Sequence, residues 1–312
     1  MLSDKSAVIV CTRDRPSQLK SLLLSLKNQI SQVKFKVIIV DSSKVVSTTL
    51  KLVESFKNSL EIELLVCPHD WTLPLKRNYA LTQPNVLQFQ FVHFFDDDIE
   101  IESSYLEKIQ NAIKDEGIAG GIGQDLNQVI RSPSKLRCLL GLDSSRGGVI
   151  LASGANVMPK ASKGDVKMDI EWMSGCAMSF NSKYLGGIFF DERRTFIGED
   201  TDFTYRTSKK GRLIFCPTAF YKHRSSLNKI PSESHRVKDH IKHLVLLTRD
   251  FPERVKPISV YLMLSSIGIS WIRKGLVEKN FNYFLYGLKY SFFAYKYLSS
   301  IFFELGIKES TA

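Results

Sequence analysis

The sequence predicts an α/β fold on a mostly parallel central sheet with flanking helices. Three observations carry that prediction. Short apolar runs recur at 7–11 (AVIVC), 36–41 (KVIIVD), 61–66 (EIELLV) and 88–95 (QFQFVHFF), as in strands buried on both faces. Helix-compatible segments lie between them, which makes β-α-β units. Polar residues follow several runs directly, and open α/β sheets bind ligands outside the carboxyl ends of their strands.

The elements follow in order. After the first run comes the polar turn TRDRP, then Leu19, Leu22, Leu23 and Leu26 at i, i+3, i+4 and i+7, the stripe of an amphipathic helix. Pro16 falls in its first turn, where a missing N–H costs nothing. The second run ends in Asp41, and 45–57 is helix-compatible. A short helix is expected over 75–82 (LKRNYALT), before the fourth run. The stretch 117–165 is rich in Gly and Ser and reads as loops and short strands. From 170 the pattern tightens: DIEWMSGCAMSF, a helix over 201–209, then RLIFCPTAFYKHR as two short strands. A polar helix-compatible segment spans about 233–250.

Residues 257–272 carry no charge, but the run is shorter than the roughly 20 residues a membrane-spanning helix needs. The aromatic-rich stretch 281–303 carries Lys289 and Lys296. Together they resemble interfacial helices, with Trp, Tyr and Phe on one side and Lys on the other; a helical pair packed on the catalytic domain or on a second subunit is the alternative. The expected organisation is a domain over 1–250 (1–100 binding nucleotide, 101–250 the acceptor) followed by C-terminal helices over 251–312.

The formal net charge of +11 favours anionic partners. The basic residues are scattered, and no nucleic-acid-binding signature is present, so nucleic acid is not an expected partner. Five cysteines with no C-x-x-C pair argue against a disulfide framework or zinc site and for a reducing compartment. The N-terminal apolar run is short and follows Asp4; it reads as a strand and not as a signal peptide.

The chemistry gathers in HFFDDDIE, residues 93–100. On an extended segment side chains alternate, so Asp96 and Asp98 face one way and Asp97 the other. Two carboxylates so spaced suit Mg²⁺ or Mn²⁺; a solvated acidic turn capping the helix around Tyr105 is the structural alternative. A hard ion with few protein ligands completes its shell with substrate phosphates and water, which points to a nucleotide or sugar-nucleotide. A P-loop and a G-x-G-x-x-G fingerprint after the first strand are both absent. The second acidic cluster is Gly198-Glu199-Asp200-Thr201-Asp202. Asp200 there is a helix N-cap or a general base that takes the proton of an acceptor hydroxyl. His223 is a structural histidine or completes the metal shell.

VIVCTRDRP with its Leu-rich helix, VIIVDSS, LKRNYAL, FFDDDIE, WMSGCAMSF and GEDTDFTYR followed by YKHR occur in that order. The ordered set resembles family 2 of the inverting glycosyltransferases, of GT-A fold. The resemblance implies roles by position. Asp41 contacts the nucleotide base, with Thr12 and Arg13 lining the same pocket and Arg77 on the diphosphate side. Asp96 and Asp98 form the D-x-D motif. Asp98 is the direct metal ligand, Asp96 also touches the ribose, and Asp97 is grouped with the nucleotide-sugar contacts. His223 matches a histidine that binds metal in some members. Asp200 is the catalytic aspartate, with Glu199 as its substitute. Trp172 and Gly175 fall on the acceptor side. The loop DSSKVV departs from the Asn or Gly of many relatives, which leaves the base open. The C-terminal segment is similar to tails of bacterial envelope-polysaccharide transferases, which act on lipid-linked acceptors at the inner face of the membrane. The implied activity is metal-dependent transfer from a UDP- or dTDP-sugar to a saccharide or lipid-linked saccharide. A nucleotidyltransferase and a non-catalytic sugar-nucleotide or glycan binder are the rivals.

Overall fold

Each apolar run of the N-terminal half is a strand in the computed structural model, which describes residues 3–30, 33–129, 132–160, 167–195, 197–224 and 233–309. Strands β1 (Ser3–Thr12), β2 (Phe35–Asp41), β3 (Ile62–Val66) and β4 (Phe89–Asp96) alternate with helices α1 (Pro16–Lys27), α2 (Val46–Phe56) and α3 (Leu73–Leu81). Pro16 opens α1, and Leu19, Leu22, Leu23 and Leu26 are its buried face; each such leucine stabilises by about 1.5–3 kcal/mol relative to exposure. Then come β5 (Ile99–Ile101), α4 (Tyr105–Ile113) and β6 (Ile118–Asp125). The segment 132–158 holds α5 (Lys135–Leu139) and the paired strands β7 (Val149–Ile150) and β8 (Asn156–Val157). β9 (Met168–Ile170), β10 (Ala177–Asn181), α6 (Glu199–Ser208) and β11 (Arg212–His223) follow, then α7 (Glu233–Asp250), α8 (Pro257–Val277) and α9 (Phe281–Glu309).

The chain forms two compact units. The first, Met1–Ile130 with Pro159–Leu227, is built on a nine-stranded sheet of order β3-β2-β1-β4-β10-β6-β11-β5, with β9 against β11. β1, β2, β3, β4, β6 and β11 run one way; β5, β9 and β10 run the other. The sheet is mostly parallel, as expected. Its centre is dry: Val8, Val10, Ile39 and Val92 are fully buried.

Within the stretch read as loops and short strands, the glycine-rich run at 118–123 belongs to the central strand β6, paired with β10 and β11. Its glycines answer crowding. A Cβ at Gly120 would lie 2.6 Å from the Ser179 carbonyl oxygen, and one at Gly121 would lie 2.9 Å from Ile113. One expectation fails: the run RLIFCPTAFYKH is not two short strands but one, β11, with a register shift between Cys216 and Phe220. Pro217 has no N–H for the ladder, so pairing skips while the chain stays extended.

The second unit, Arg131–Met158 with Asn228–Ala312, contains the β7–β8 pair and α7, α8 and α9. α8 and α9 close on each other through glycines. A Cβ at Gly275 would run into the Phe284 backbone, and one at Gly268 would lie 3.1 Å from the Gly287 carbonyl oxygen. Among the described residues no helix is long and apolar enough to cross a membrane.

Candidate active site

The sheet register builds the site. Thr12 lies opposite Asp41 across β1 and β2, and Cys11 lies opposite Asp96 across β1 and β4. The ends of three neighbouring strands thus present Thr12, Asp41 and Asp96 on one edge. The loops behind them are tied together. Asp14 adopts the left-handed region (φ 54°); its N–H donates to Ser43 Oγ at 2.7 Å and its Oδ1 accepts the Lys44 N–H at 2.9 Å.

Asp41 is fully buried. Its Oδ1 accepts the Ser43 N–H at 2.8 Å, whereas its Oδ2 has no protein partner. A buried acceptor left unmade costs about 1–3 kcal/mol, so this oxygen is suited to a ligand's donor. Beside it, Arg13 donates to Ser42 Oγ at 3.3 Å and to the Trp71 carbonyl oxygen.

The acidic turn is not a solvated cap: Asp97 and Asp98 are 3% and 8% exposed, and the N-cap of α4 is Ser104. Asp97 and Asp98 form the turn between β4 and β5, so strand alternation does not govern them. Asp97 turns inward, accepting the Thr12 hydroxyl at 2.7 Å and Arg15 Nη1 at 3.1 Å. Burial pushes its carboxyl up to about 6, against the pull of Thr12 and Arg15. Asp96, Asp98 and His223 offer ligand atoms within 4.8 Å of one another. His223 reaches them because β11 pairs with β5, setting His223 opposite Ile99. Its Nε2 lies 3.1 Å from Asp98 Oδ1, and that hydrogen bond raises its pKa. Burial raises Asp96 as well.

Arg77 joins the two acidic clusters. Its guanidinium is buried, and Nη2 donates to Asp96 Oδ1 at 3.1 Å and to the Gly175 carbonyl oxygen at 2.8 Å. Nη1 donates to Glu199 Oε1 at 3.4 Å, and the Phe190 ring lies 5.1 Å away. Burial first, and then the neighbouring Asp200, push Glu199 up to about 8; Arg77 opposes them. Asp200, in the first turn of α6, is half-buried. Its Oδ2 accepts the Gly175 N–H at 2.8 Å and its Oδ1 the Thr201 N–H at 2.7 Å. Gly175 fits tightly, since a Cβ there would lie 3.2 Å from both Arg77 Nη2 and Asp200 Cβ.

The sequence-predicted residues thus fall into three linked groups: Thr12, Arg13, Asp41 and Asp97; Asp96, Asp98 and His223; Arg77, Gly175, Glu199 and Asp200. Trp172 is 5% exposed and shows almost no ring face to solvent. Sequence reasoning missed Arg15, which bridges Asp97 and Asp98 at 3.1 and 3.2 Å. It also missed Lys76, 5% exposed, which donates to the Thr12 carbonyl oxygen at 3.3 Å and to Ser42 Oγ at 3.4 Å. Burial lowers the Lys76 pKa. Its place beside Arg77 in LKRNYAL was the available signal.

Residues 7–128 match the family model described as glycosyl transferase family 2. No curated protein sequence matches the chain. Solved structures match its fold. Residues 1–349 of S. aureus TarS share 20% identity, over 86% of this chain and 80% of that one, at a TM-score of 0.51. The mannosyltransferase PcManGT from Pyrobaculum calidifontis, solved with GDP-Man and Mn²⁺, shares 14% over 95% and 87%, at 0.55. GalNAc-T7, solved with UDP, GalNAc and Mn²⁺, shares 14% over 80% of this chain, at 0.55. The chain spans 51% of the GalNAc-T7 chain and 54% of a longer TarS chain. Residues 7–128 thus carry a glycosyl transferase family 2 domain, in a glycosyltransferase built on the GT-A fold.

Proposed function

We propose that the protein transfers a sugar, with inversion, from a UDP- or dTDP-sugar to a saccharide or lipid-linked saccharide in surface-polysaccharide synthesis, using a divalent ion. One observation carries the reading: a two-carboxylate, one-imidazole cluster shares a sheet edge with a buried carboxylate oxygen that lacks a partner. Supporting it, TarS 1–349 has been solved with UDP-GlcNAc and with UDP, and PcManGT and GalNAc-T7 with Mn²⁺.

Asp96, Asp98 and His223 would hold Mg²⁺ or Mn²⁺. Two hard oxygens and an imidazole fit such an ion and leave positions for phosphate and water. Bound there, the ion offsets charge on a departing diphosphate. Asp41 receives an N–H of the base, with Thr12, Arg13 and Asp97 framing that side. Arg77 holds Asp96 and Glu199 in place on the diphosphate side. Gly175 holds Asp200 through its N–H, and Trp172 backs the acceptor side. Asp200 takes the acceptor's hydroxyl proton as that oxygen bonds to the anomeric carbon; the bond to the diphosphate oxygen breaks, and a nucleoside diphosphate leaves. Glu199, which burial keeps protonated up to about pH 8, offers no free carboxylate to take that proton at neutral pH. We place the protein in the cytoplasm, peripheral at the inner face of the membrane through α8 and α9, with the glycosyltransferase domain over 1–250, its nucleotide-binding half over 1–100 and its acceptor half over 101–250.

The test is nucleoside-diphosphate release from UDP- and dTDP-hexoses with Mn²⁺, before and after EDTA. Release that EDTA stops and that Asp98→Asn lacks is the expected result. Metal-independent release, or pyrophosphate as the product, would overturn the reading.

A further inference from the structure

The α8–α9 hairpin carries an exposed apolar face. On α8 its residues are Ile258, Leu262, Ile269 and Leu276, 54–65% exposed. They fall at i, i+4, i+11 and i+18, one stripe of a helix. On α9 they are Phe281, Leu285, Leu288, Phe292 and Tyr295, 38–69% exposed, at i, i+4, i+7, i+11 and i+14. Tyr290, Ala294 and Tyr297, on the opposite side of α9, are buried.

Both stripes lie on the same side of the hairpin. The helices are antiparallel, with Gly268 against Gly287 and Gly275 against Phe284 along their seam. At about 100° per residue, each stripe sits roughly a quarter turn from that seam in the same rotational sense. In antiparallel helices equal turns lead to one common side. Trp271, meeting the Tyr283 ring at a tilt and the Tyr286 ring edge-on, with Lys274 over it, occupies the other side. The face is therefore aliphatic and Phe-rich, and the tryptophan expected to anchor it is absent from it.

Charge identifies what covers this face. By the same helical positions Arg273 borders the stripe on α8, and Lys289 and Lys296 border it on α9. Between 257 and 301 the sole acidic residue is Glu278, in the connection. A second copy laid on this face would set cation against cation. Anionic lipid headgroups would pair with these cations while acyl chains take the apolar stripe. We infer that this face of the hairpin lies in the plane of an anionic lipid surface, with Arg273, Lys289 and Lys296 at the headgroups. The inference specifies the face and the lipid charge, and rests on the peripheral membrane location proposed above.

The test is flotation of the full-length protein with vesicles of phosphatidylcholine alone and of phosphatidylcholine with 30% phosphatidylglycerol (about that fraction suffices, since each surface cation adds roughly fivefold). Wild type should float with the anionic vesicles only. Ile269→Ser with Phe292→Ser should abolish flotation. Lys289→Gln with Lys296→Gln should weaken it roughly 30-fold. All variants should retain wild-type melting temperature and turnover on a water-soluble acceptor, because the changed residues are exposed. Wild type that floats with neither vesicle overturns the membrane location itself. Wild type that floats while the Ser pair floats equally overturns only this face. A dimer in sedimentation that the Ser pair converts to monomer, with flotation unchanged, would assign the face to a second copy and overturn the inference.

Discussion

Asp200 and Glu199 are adjacent at the start of α6, but their surroundings sort them. Asp200 is half-buried, and backbone N–H groups of Gly175 and Thr201 fix both of its oxygens. Glu199 is buried against Arg77. Asp200→Asn should cut turnover by about 10²–10⁴-fold, the usual scale of a lost general base, with the melting temperature kept. Glu199→Gln should retain most turnover; the reverse ranking in steady-state rates would exchange their roles. The two also differ in pH response. Glu199 holds its proton up to about 8 in the folded chain, against 4.5 as its ordinary value. Between those values the folded state binds more protons than the unfolded one, so this residue makes stability fall as pH rises. Glu199→Gln should therefore show a shallower fall in melting temperature than wild type between about pH 5 and pH 9. Parallel curves would show that Arg77 keeps Glu199 ionised. Sequence logic reached the carboxylates because strand ends are local. It did not reach Arg15, whose partners lie 82 and 83 residues away, and for His223, 125 residues from Asp98, it left a structural role and a metal-binding one both open.

At the scale of elements, the N-terminal β-α units were legible because burial on both faces leaves a plain apolar run, and α1 leaves a leucine stripe. β6 was not, because its side chains have been replaced by neighbouring atoms. Gly123 shows why: a Cβ there would fall on the Ala219 carbonyl oxygen and lie 2.6 Å from the Tyr105 ring. Composition reports such a run as a loop, whereas the packing requires glycine in a central strand. The same β6–β11 seam delivers His223, since Phe220 and Tyr221 pair with Gln124 and Asp125 after the shift at Pro217. Asp125 then accepts the His223 N–H at 3.1 Å. Gly123→Ala should destabilise the first unit by about 3 kcal/mol, the upper end for overpacking, because backbone cannot swing aside as a side chain does. Urea unfolding measures this as a lower midpoint at unchanged slope. An unchanged midpoint would mean that β11 slides to admit the methyl group.

For the whole molecule, net charge of +11 draws anionic ligands without choosing among them; in the proposed function the choice falls to the buried oxygen of Asp41. Uracil and thymine carry N3–H, a donor that Asp41 Oδ2 can accept. Cytosine presents a bare lone pair at N3, so acceptor would face acceptor in a site closed to water. That mismatch is worth about 1–3 kcal/mol, or roughly 5- to 150-fold in affinity. A ligand held only by the native state stabilises by about 2.7 kcal/mol at a hundred times its Kd. For a chain of this size that is a rise of roughly 4 °C in melting temperature. UDP and dTDP with Mn²⁺ should give such a rise, and CDP at the same concentration a much smaller one. Asp41→Asn should invert the order, because an amide N–H can donate to cytosine N3. Equal shifts with UDP and CDP in the wild type would mean that the base does not reach Asp41. The unpaired oxygen would then serve some other donor, and the strand-end pocket would hold the diphosphate sugar by its phosphates alone.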